Sequence, residues 1–276
     1  MRTAKIMGAA FLCLFFLCSA QTQAAEVKED SPQPESTLEK ILKRGSIRVG
    51  MDTFVPWAMK DKTGKFIGFE IDVATRLAKD MEVELELVPT KWSGIIPALL
   101  TGKFDVLIGG MSIRPDRNKK VNFTIPYYYS GMSIVAHKDL AAGFNKLSDF
   151  NDPSVTVVAR LGTTAAAAAR KHTPKAALKL FDAEPQALQE LLNAKAHAFV
   201  SMAPLPAFEA IKHPDKLFLP LSEDITREPN GFAIRKNDVD TLNYFNSWIR
   251  VVQAEGWFRE RRKYWFESRD WEDQLK

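Results

Sequence analysis

Residues 109–117 read GGMSIRPDR: two glycines and a serine, then an arginine. Gly110 permits close backbone approach to a ligand. Ser112 offers a hydroxyl, and Arg117 offers two parallel N–H groups that match a carboxylate fork. The set reads either as a surface turn carrying an ordinary ion pair or as a carboxylate clamp. It emerges from FDVLIGG, an apolar run with the character of a buried strand, and the ends of strands are where α/β sheets meet their ligands. The same rule selects further residues. Asp52, Phe54 and Trp57 follow SIRVGM, and Trp92 follows VELELVPT. Arg160, Gly162, Thr163 and Thr164 follow SVTVVA, and Ser201 and Met202 follow AHAFV. Thr163 and Thr164 precede AAAAAR, a strong helix former, so threonine is an N-cap there. A helix N-terminus that faces a cleft also attracts an anion. Trp57 and Trp92 can stack on a ligand or pack into the core. Asp52 can pair with an ammonium or cap a turn, and Arg160 can meet a charged ligand group or lie in solvent.

Searches for catalytic and metal-binding patterns give little. His137, His172, His197 and His213 fit no HExxH spacing, and no G-x-S-x-G elbow or P-loop occurs. The RERRK cluster at 259–263 reads as a solvated helix face. No cofactor and no metal are expected.

The elements that position these residues begin after a leader. Residues 1–24 combine a basic start at Arg2 and Lys5, a short apolar run and a small-x-small ending at Ala24, which identifies a secretory signal peptide. Both cysteines, Cys13 and Cys18, lie inside it, so the mature chain has no disulfide or thiol site. Leu12 and Leu17 precede them, where a lipidation signal carries a small residue. Removing Arg2 and Lys5 lowers the formal charge from +4 to +2, too near neutral to point to nucleic acid. An exported protein is expected, with residues 25–37 as a flexible lead-in.

From Leu38 onward strands and helices alternate. LEKILKRG forms a short helix stopped at Gly45, and SIRVGM a strand. GFEIDVATRLAKDM is amphipathic, with Ile71, Ala74, Leu77, Ala78 and Met81 on one face. VELELV alternates as a strand, and Ser93 can cap a helix through Ile95, Ala98 and Leu99. The pattern restarts at SVTVVARLGTTAAAAAR, giving two α/β blocks with largely parallel sheets. MSIVAHK (132–138) and GFAIRK (231–236) can cross between them, returning the last helices to the first block. The expected result is two lobes joined by two strands around a cleft that can close by hinge motion: residues 38–134 and 234–276 in lobe 1, and 135–233 in lobe 2.

GFEIDVATRLAKDM resembles the signature of the family 3 extracellular solute-binding proteins, the periplasmic receptors that serve ABC importers of polar amino acids. KWSGIIPALLTGKFDV and VNFTIPYYYSG are similar to the family as well. The resemblance implies the periplasmic binding protein fold, a periplasmic location, a membrane permease as partner and a monomeric state. It implies that Arg117 holds the ligand carboxylate, helped by Ser112, Gly110, Thr163 and Thr164. Phe54 and Trp92 would sandwich the ligand side chain, and Asp52 and Arg160 would tune selectivity. One departure stands out: Met202 occupies the place where family members that bind α-amino acids carry an aspartate for the ammonium. The ligand is therefore expected to be an amino acid or a related small carboxylate. The fold also resembles cyclohexadienyl dehydratase, a periplasmic lyase acting on prephenate or arogenate, and YWFESRDW is similar to that group. Its expected glutamate falls on Leu205. A receptor-linked sensor is a third class, expected only with a separate partner chain.

Overall fold

The structure, a computed structural model, describes residues 35–275. The signal peptide and most of the lead-in lie outside the described residues. Ser36 caps the first helix, Thr37–Arg44, through a reciprocal box with Glu39, so the end of the expected lead-in already belongs to that helix. Gly45 ends the helix in the left-handed conformation.

Two five-stranded sheets follow. In the first, Ser46–Met51 runs parallel to Glu84–Pro89 on one side and to Val106–Leu107 on the other. In the second, Thr156–Arg160 runs parallel to Ala177–Phe181 and to Ala198–Met202. Each sheet is then extended by an antiparallel strand, Ala233–Ile234 in the first and Met132–His137 in the second. Asn122–Phe123 and Leu217–Phe218 complete the edges. The two sheets thus repeat one plan: three parallel strands, then two more beyond a reversal.

The chain passes between the sheets twice, and those passages pair with each other. Tyr128–Ser130 lies antiparallel to Glu228–Asn230, with Ser130 opposite Glu228 and Tyr128 opposite Asn230. This corrects the expected crossing segments. Met132–His137 is an undivided member of the second sheet, so a boundary at residue 134 would cut a strand, and Ala233–Ile234 belongs to the first sheet. The crossing residues precede those strands, because MSIVAH and FAI are apolar enough to be buried within a sheet.

Around the first sheet, the helix Phe69–Asp80 buries Ile71, Ala74, Leu77 and Ala78, the expected face. It starts at Gly68 with φ of 133°, where a Cβ would lie 2.4 Å from the Trp57 carbonyl oxygen, so only glycine fits. The C-terminal helix Val239–Ala254 returns to this half. The Trp248 indole donates to Asp80 at 2.9 Å, and the Trp265 indole to Asp72 at 2.6 Å. A turn over Lys263–Glu267 drives Phe266 against Trp57 and Phe69, with ring centroids 4.5 and 4.9 Å away. Ser93 lies within a 3₁₀ turn, Trp92–Gly94, and makes no cap; the helix Ile95–Leu100 begins after Gly94. Among the described residues no helix is long and apolar enough to cross a membrane.

Glu70, from the helix Phe69–Asp80, lies under the crossing ladder and is 1% exposed, with the Tyr127 hydroxyl donating to it at 2.6 Å. Burial pushes its carboxyl up to about 8, against the pull of Tyr127 and of the Gly110 amide. The folded state therefore holds a proton that the unfolded chain releases near its ordinary value. The stabilisation is complete below pH 4.5 and is lost as pH rises towards 8. Glu70→Gln should flatten the thermal midpoint across that window while wild type declines. Parallel profiles for the two proteins would contradict the assignment.

Candidate functional site

The carboxyl ends of all six parallel strands meet in one cleft between the sheets. Asp52 follows Ser46–Met51, Trp92 follows Glu84–Pro89, and Gly109 and Gly110 follow Val106–Leu107. From the other side, Arg160 ends Thr156–Arg160, Glu184 follows Ala177–Phe181 and Met202 ends Ala198–Met202.

The loop from Gly110 to Arg117 is fixed by the returning crossing strand. Asn230, fully buried, donates from its amide to the Gly110 carbonyl at 2.8 Å, and its amide oxygen accepts from Ser130 at 2.8 Å. Ile113 N–H donates to Pro229 at 2.7 Å, and Gly231 N–H to Met111 at 3.2 Å. Gly110 has φ of 63°, and a Cβ there would come 3.3 Å from the Trp57 ring. Pro115 starts a single helical turn, Pro115–Asn118, that carries Arg117 inward.

Arg117 is 6% exposed. Its guanidinium donates to two backbone carbonyls, Ser112 at 2.9 Å and Gly162 at 3.1 Å, neither of which carries a full charge. Burial and the nearby Arg114 push its pKa down to about 10, with Asp116 and Glu228 acting the other way. A buried cation held only by carbonyls is costly unless an anion joins it. The Thr164 hydroxyl donates to the Ser112 hydroxyl at 3.0 Å, linking the two loops beside it. Thr163 caps the helix Thr164–His172 by accepting from Ala166 N–H at 3.1 Å.

A second cation is already paired. Arg160 forms an ion pair with Asp52 across the cleft and donates from Nε to the Asp182 carbonyl at 3.1 Å. Asp52 also accepts from the amides of Thr53 and Trp92, both at 2.7 Å. The Trp92 ring lies 5.7 Å from the Arg117 guanidinium and 5.8 Å from that of Arg160, and its indole donates to Gly162 at 3.2 Å. One aromatic ring thus serves both cations.

Ten of the thirteen residues picked from the sequence line this cleft: Asp52, Phe54, Trp92, Gly110, Ser112, Arg117, Arg160, Thr163, Thr164 and Met202; Gly162 and Ser201 only bond to residues that do. Trp57 does not. It is 1% exposed, packed between Phe54, Phe69, Tyr128 and Phe266, because the hydrophobic gain from burying an indole outweighs contact with the polar cleft. Sequence reasoning missed Glu184. It lines the cleft at 8% exposure, with one oxygen accepting from the Ser201 hydroxyl at 2.8 Å. The strand-end rule applied to ALKLF would have found it. None of the four histidines lines the cleft.

The profile of the bacterial extracellular solute-binding proteins, family 3, matches residues 47–268. The L-cystine-binding protein of Escherichia coli is 30% identical over 84% of this chain and 86% of its own. A binding component of an ABC transporter from Wolinella succinogenes, solved in complex with lysine, is 41% identical with a TM-score of 0.78, covering 83% of this chain and 99% of that one. The cyclohexadienyl dehydratase of Pseudomonas aeruginosa is 27% identical over 94% of each chain.

Truncating either partner of the Asp52–Arg160 pair leaves the other charge largely buried. Asp52→Ala and Arg160→Ala should each lower stability by about 3 kcal/mol in urea unfolding. The double variant should lose clearly less than the sum, since the second truncation removes an already orphaned charge. Additive losses would mean that the pair carries no coupling.

Proposed function

This chain belongs to the bacterial extracellular solute-binding proteins of family 3, and from that premise we propose that it captures an amino acid or related small carboxylate in the cleft and delivers it to an ABC importer in the membrane. The observation that carries this reading is Arg117, a buried guanidinium whose acceptors are backbone carbonyls. A ligand carboxylate supplies the charge those carbonyls lack, and the fork geometry of arginine accepts it through two hydrogen bonds. Ser112 adds its hydroxyl at the same end, and Thr163 and Thr164 add backbone N–H groups, Thr164 from the first turn of its helix. Phe54 and Trp92 supply apolar faces for the rest of the ligand. The leader directs the chain to the periplasm, where it acts as a monomer. The two halves close by rotation about the ladder of Tyr128–Ser130 and Glu228–Asn230, so a closed pair of lobes is what the permease reads.

A second reading has one observation in its favour. Glu184 lines the same cleft as Arg117, and burial pushes its carboxyl up to about 7, suited to a general acid near neutral pH. A dehydratase of the kind found in Pseudomonas aeruginosa would need such a group. Leu205, where the resemblance places that glutamate, is buried and apolar and does not line the cleft. Binding without chemistry is the preferred reading. Purified protein mixed with prephenate should release no phenylpyruvate above background, and turnover abolished by Glu184→Gln would reverse the preference.

Ligand at about a hundred times its Kd adds roughly 2.7 kcal/mol of stability, enough to raise a thermal midpoint by roughly 5 °C or more. L-Lysine, L-glutamine or L-cystine should produce such a rise in wild type. Arg117→Met should abolish it, while the ligand-free midpoint holds or increases, because an unpaired buried charge is replaced by an apolar chain of similar length. A ligand-induced rise that survives in Arg117→Met would refute the carboxylate role.

A further inference from the structure

Glu184 opens the helix Glu184–Leu192 and lines the cleft. One oxygen accepts from Ser201, which is fully buried beside it. The other oxygen is buried and has no hydrogen-bond partner among the described residues. A carboxylate oxygen removed from water without a donor is costly, so an uncompensated one that faces a binding cleft marks where a donor belongs.

The other acidic group of the cleft is committed. Both oxygens of Asp52 accept backbone amides, and one of them also holds Arg160. Met202, at the end of its strand, has no charge to offer. Charge balance leads to the same place. Arg117 and Arg160 face Asp52 and Glu184, two cations against two anions. A plain carboxylate ligand would leave a third anion in a confined, partly desolvated space. A ligand that also carries a cationic nitrogen restores the balance, its carboxylate towards Arg117 and its nitrogen towards Glu184.

We infer that Glu184 is a ligand-binding residue whose free oxygen accepts a hydrogen bond from a cationic nitrogen of the ligand, making the ligand an amino acid and not a simple carboxylate. This rests on the carboxylate role given to Arg117. It also answers the departure at Met202: the counter-charge comes from the start of a neighbouring helix and not from the end of that strand. The nitrogen is either an α-ammonium or a cationic side chain, the same chemistry at two positions in a ligand.

The carboxyl must be ionised to accept from a cation. Burial raises it to about 7, Ser201 and Arg160 pull it down, and Asp52 pushes it up. Affinity should therefore tighten as pH rises from 6 to 8. Other groups also face Glu184. Arg117, Arg160 and Asp52 share its cleft, and Glu209 and Lys212 share an adjoining groove, with His213 lying 3.5 Å from Glu209. The difference between wild type and Glu184→Gln isolates the contribution of Glu184 from theirs.

The test is calorimetric titration of wild type and Glu184→Gln at pH 6 and pH 8. The probes are L-lysine, 6-aminohexanoate (no α-ammonium) and L-norleucine (no side-chain charge), with L-glutamine and 4-carbamoylbutanoate as a second pair. The glutamine side chain of the variant keeps an acceptor for Ser201, and the variant's ligand-free midpoint checks its folding. Wild type should bind at least one of the amino acids, more tightly at pH 8. Glu184→Gln should weaken that binding roughly tenfold or more and remove the pH difference. If the variant leaves 6-aminohexanoate binding unchanged, the partner is the α-ammonium; if it leaves L-norleucine binding unchanged, the partner is the side chain. Equal affinity and equal pH dependence in the two proteins would overturn the inference while leaving the Arg117 reading intact. Should the variant misfold, a flat pH profile in wild type would overturn it alone. Failure of wild type to bind any of the five probes would overturn both readings together.

Discussion

A guanidinium buried between two sheets must be given acceptors, and the way Arg117 obtains them organises the cleft. One acceptor, the Ser112 carbonyl, lies in its own loop; the other, the Gly162 carbonyl, belongs to the opposite half. That second carbonyl also accepts from the Trp92 indole, so one backbone oxygen gathers a cation and an aromatic ring from the first half. The residues after it, Thr163 and Thr164, open a helix whose first turn lines the same space. The carbonyl that holds Arg117 and the helix start that would receive an anion are thus one continuous loop. Moving either half displaces both.

Closure is supported by contacts between protein groups. The Asp52–Arg160 pair, the Arg117–Gly162 and Trp92–Gly162 bonds, and the Thr164–Ser112 bond all span the cleft. Ligands shift an equilibrium between open and closed forms only by their differential affinity for them. Protein contacts already join the two sides of the cleft, so a ligand adds to a geometry they specify. Asn230 connects this to the crossing ladder, since it bonds to the Gly110 loop and to Ser130 of the partner strand. The cleft loop and the crossing segment are thereby bonded to each other through one buried side chain.

Much of this was legible because it is local. The face of Ile71, Ala74 and Leu77 follows from helical period, the stop at Gly45 from its freedom to adopt positive φ, and the cap at Thr163 from the alanine run behind it. The place of Arg117 in the cleft was legible because it follows FDVLIGG, a buried strand whose carboxyl end opens there. The crossing ladder was not, since Tyr128–Ser130 and Glu228–Asn230 pair across a hundred residues and Pro229 reads as a strand breaker. Trp57 could have lined the cleft or the core on its type and spacing; Phe266, far along the chain, decided for the core. Glu184 was hidden because an acidic residue in the first turn of a helix is an ordinary partner for the helix dipole. Only the placement of Ser201 and the cleft around it show that the carboxylate points elsewhere.

Glu184 is the one acidic group of the cleft whose protonation state a ligand can set. An ionised carboxylate in the cleft is a receptor for a cation, and a protonated one is an acid. With its carboxyl near 7, the side chain is poised between the two. A ligand that brings a cationic nitrogen lowers that value further and fixes the group as an anion, because an opposite charge within a few ångströms favours ionisation. A ligand that brings a second negative charge raises it and leaves a proton available for transfer. The charge of the ligand thus sets which protonation state Glu184 holds in the cleft. Asp52 and Arg160 are paired with each other, so the charges left to meet a ligand are those of Arg117 and Glu184.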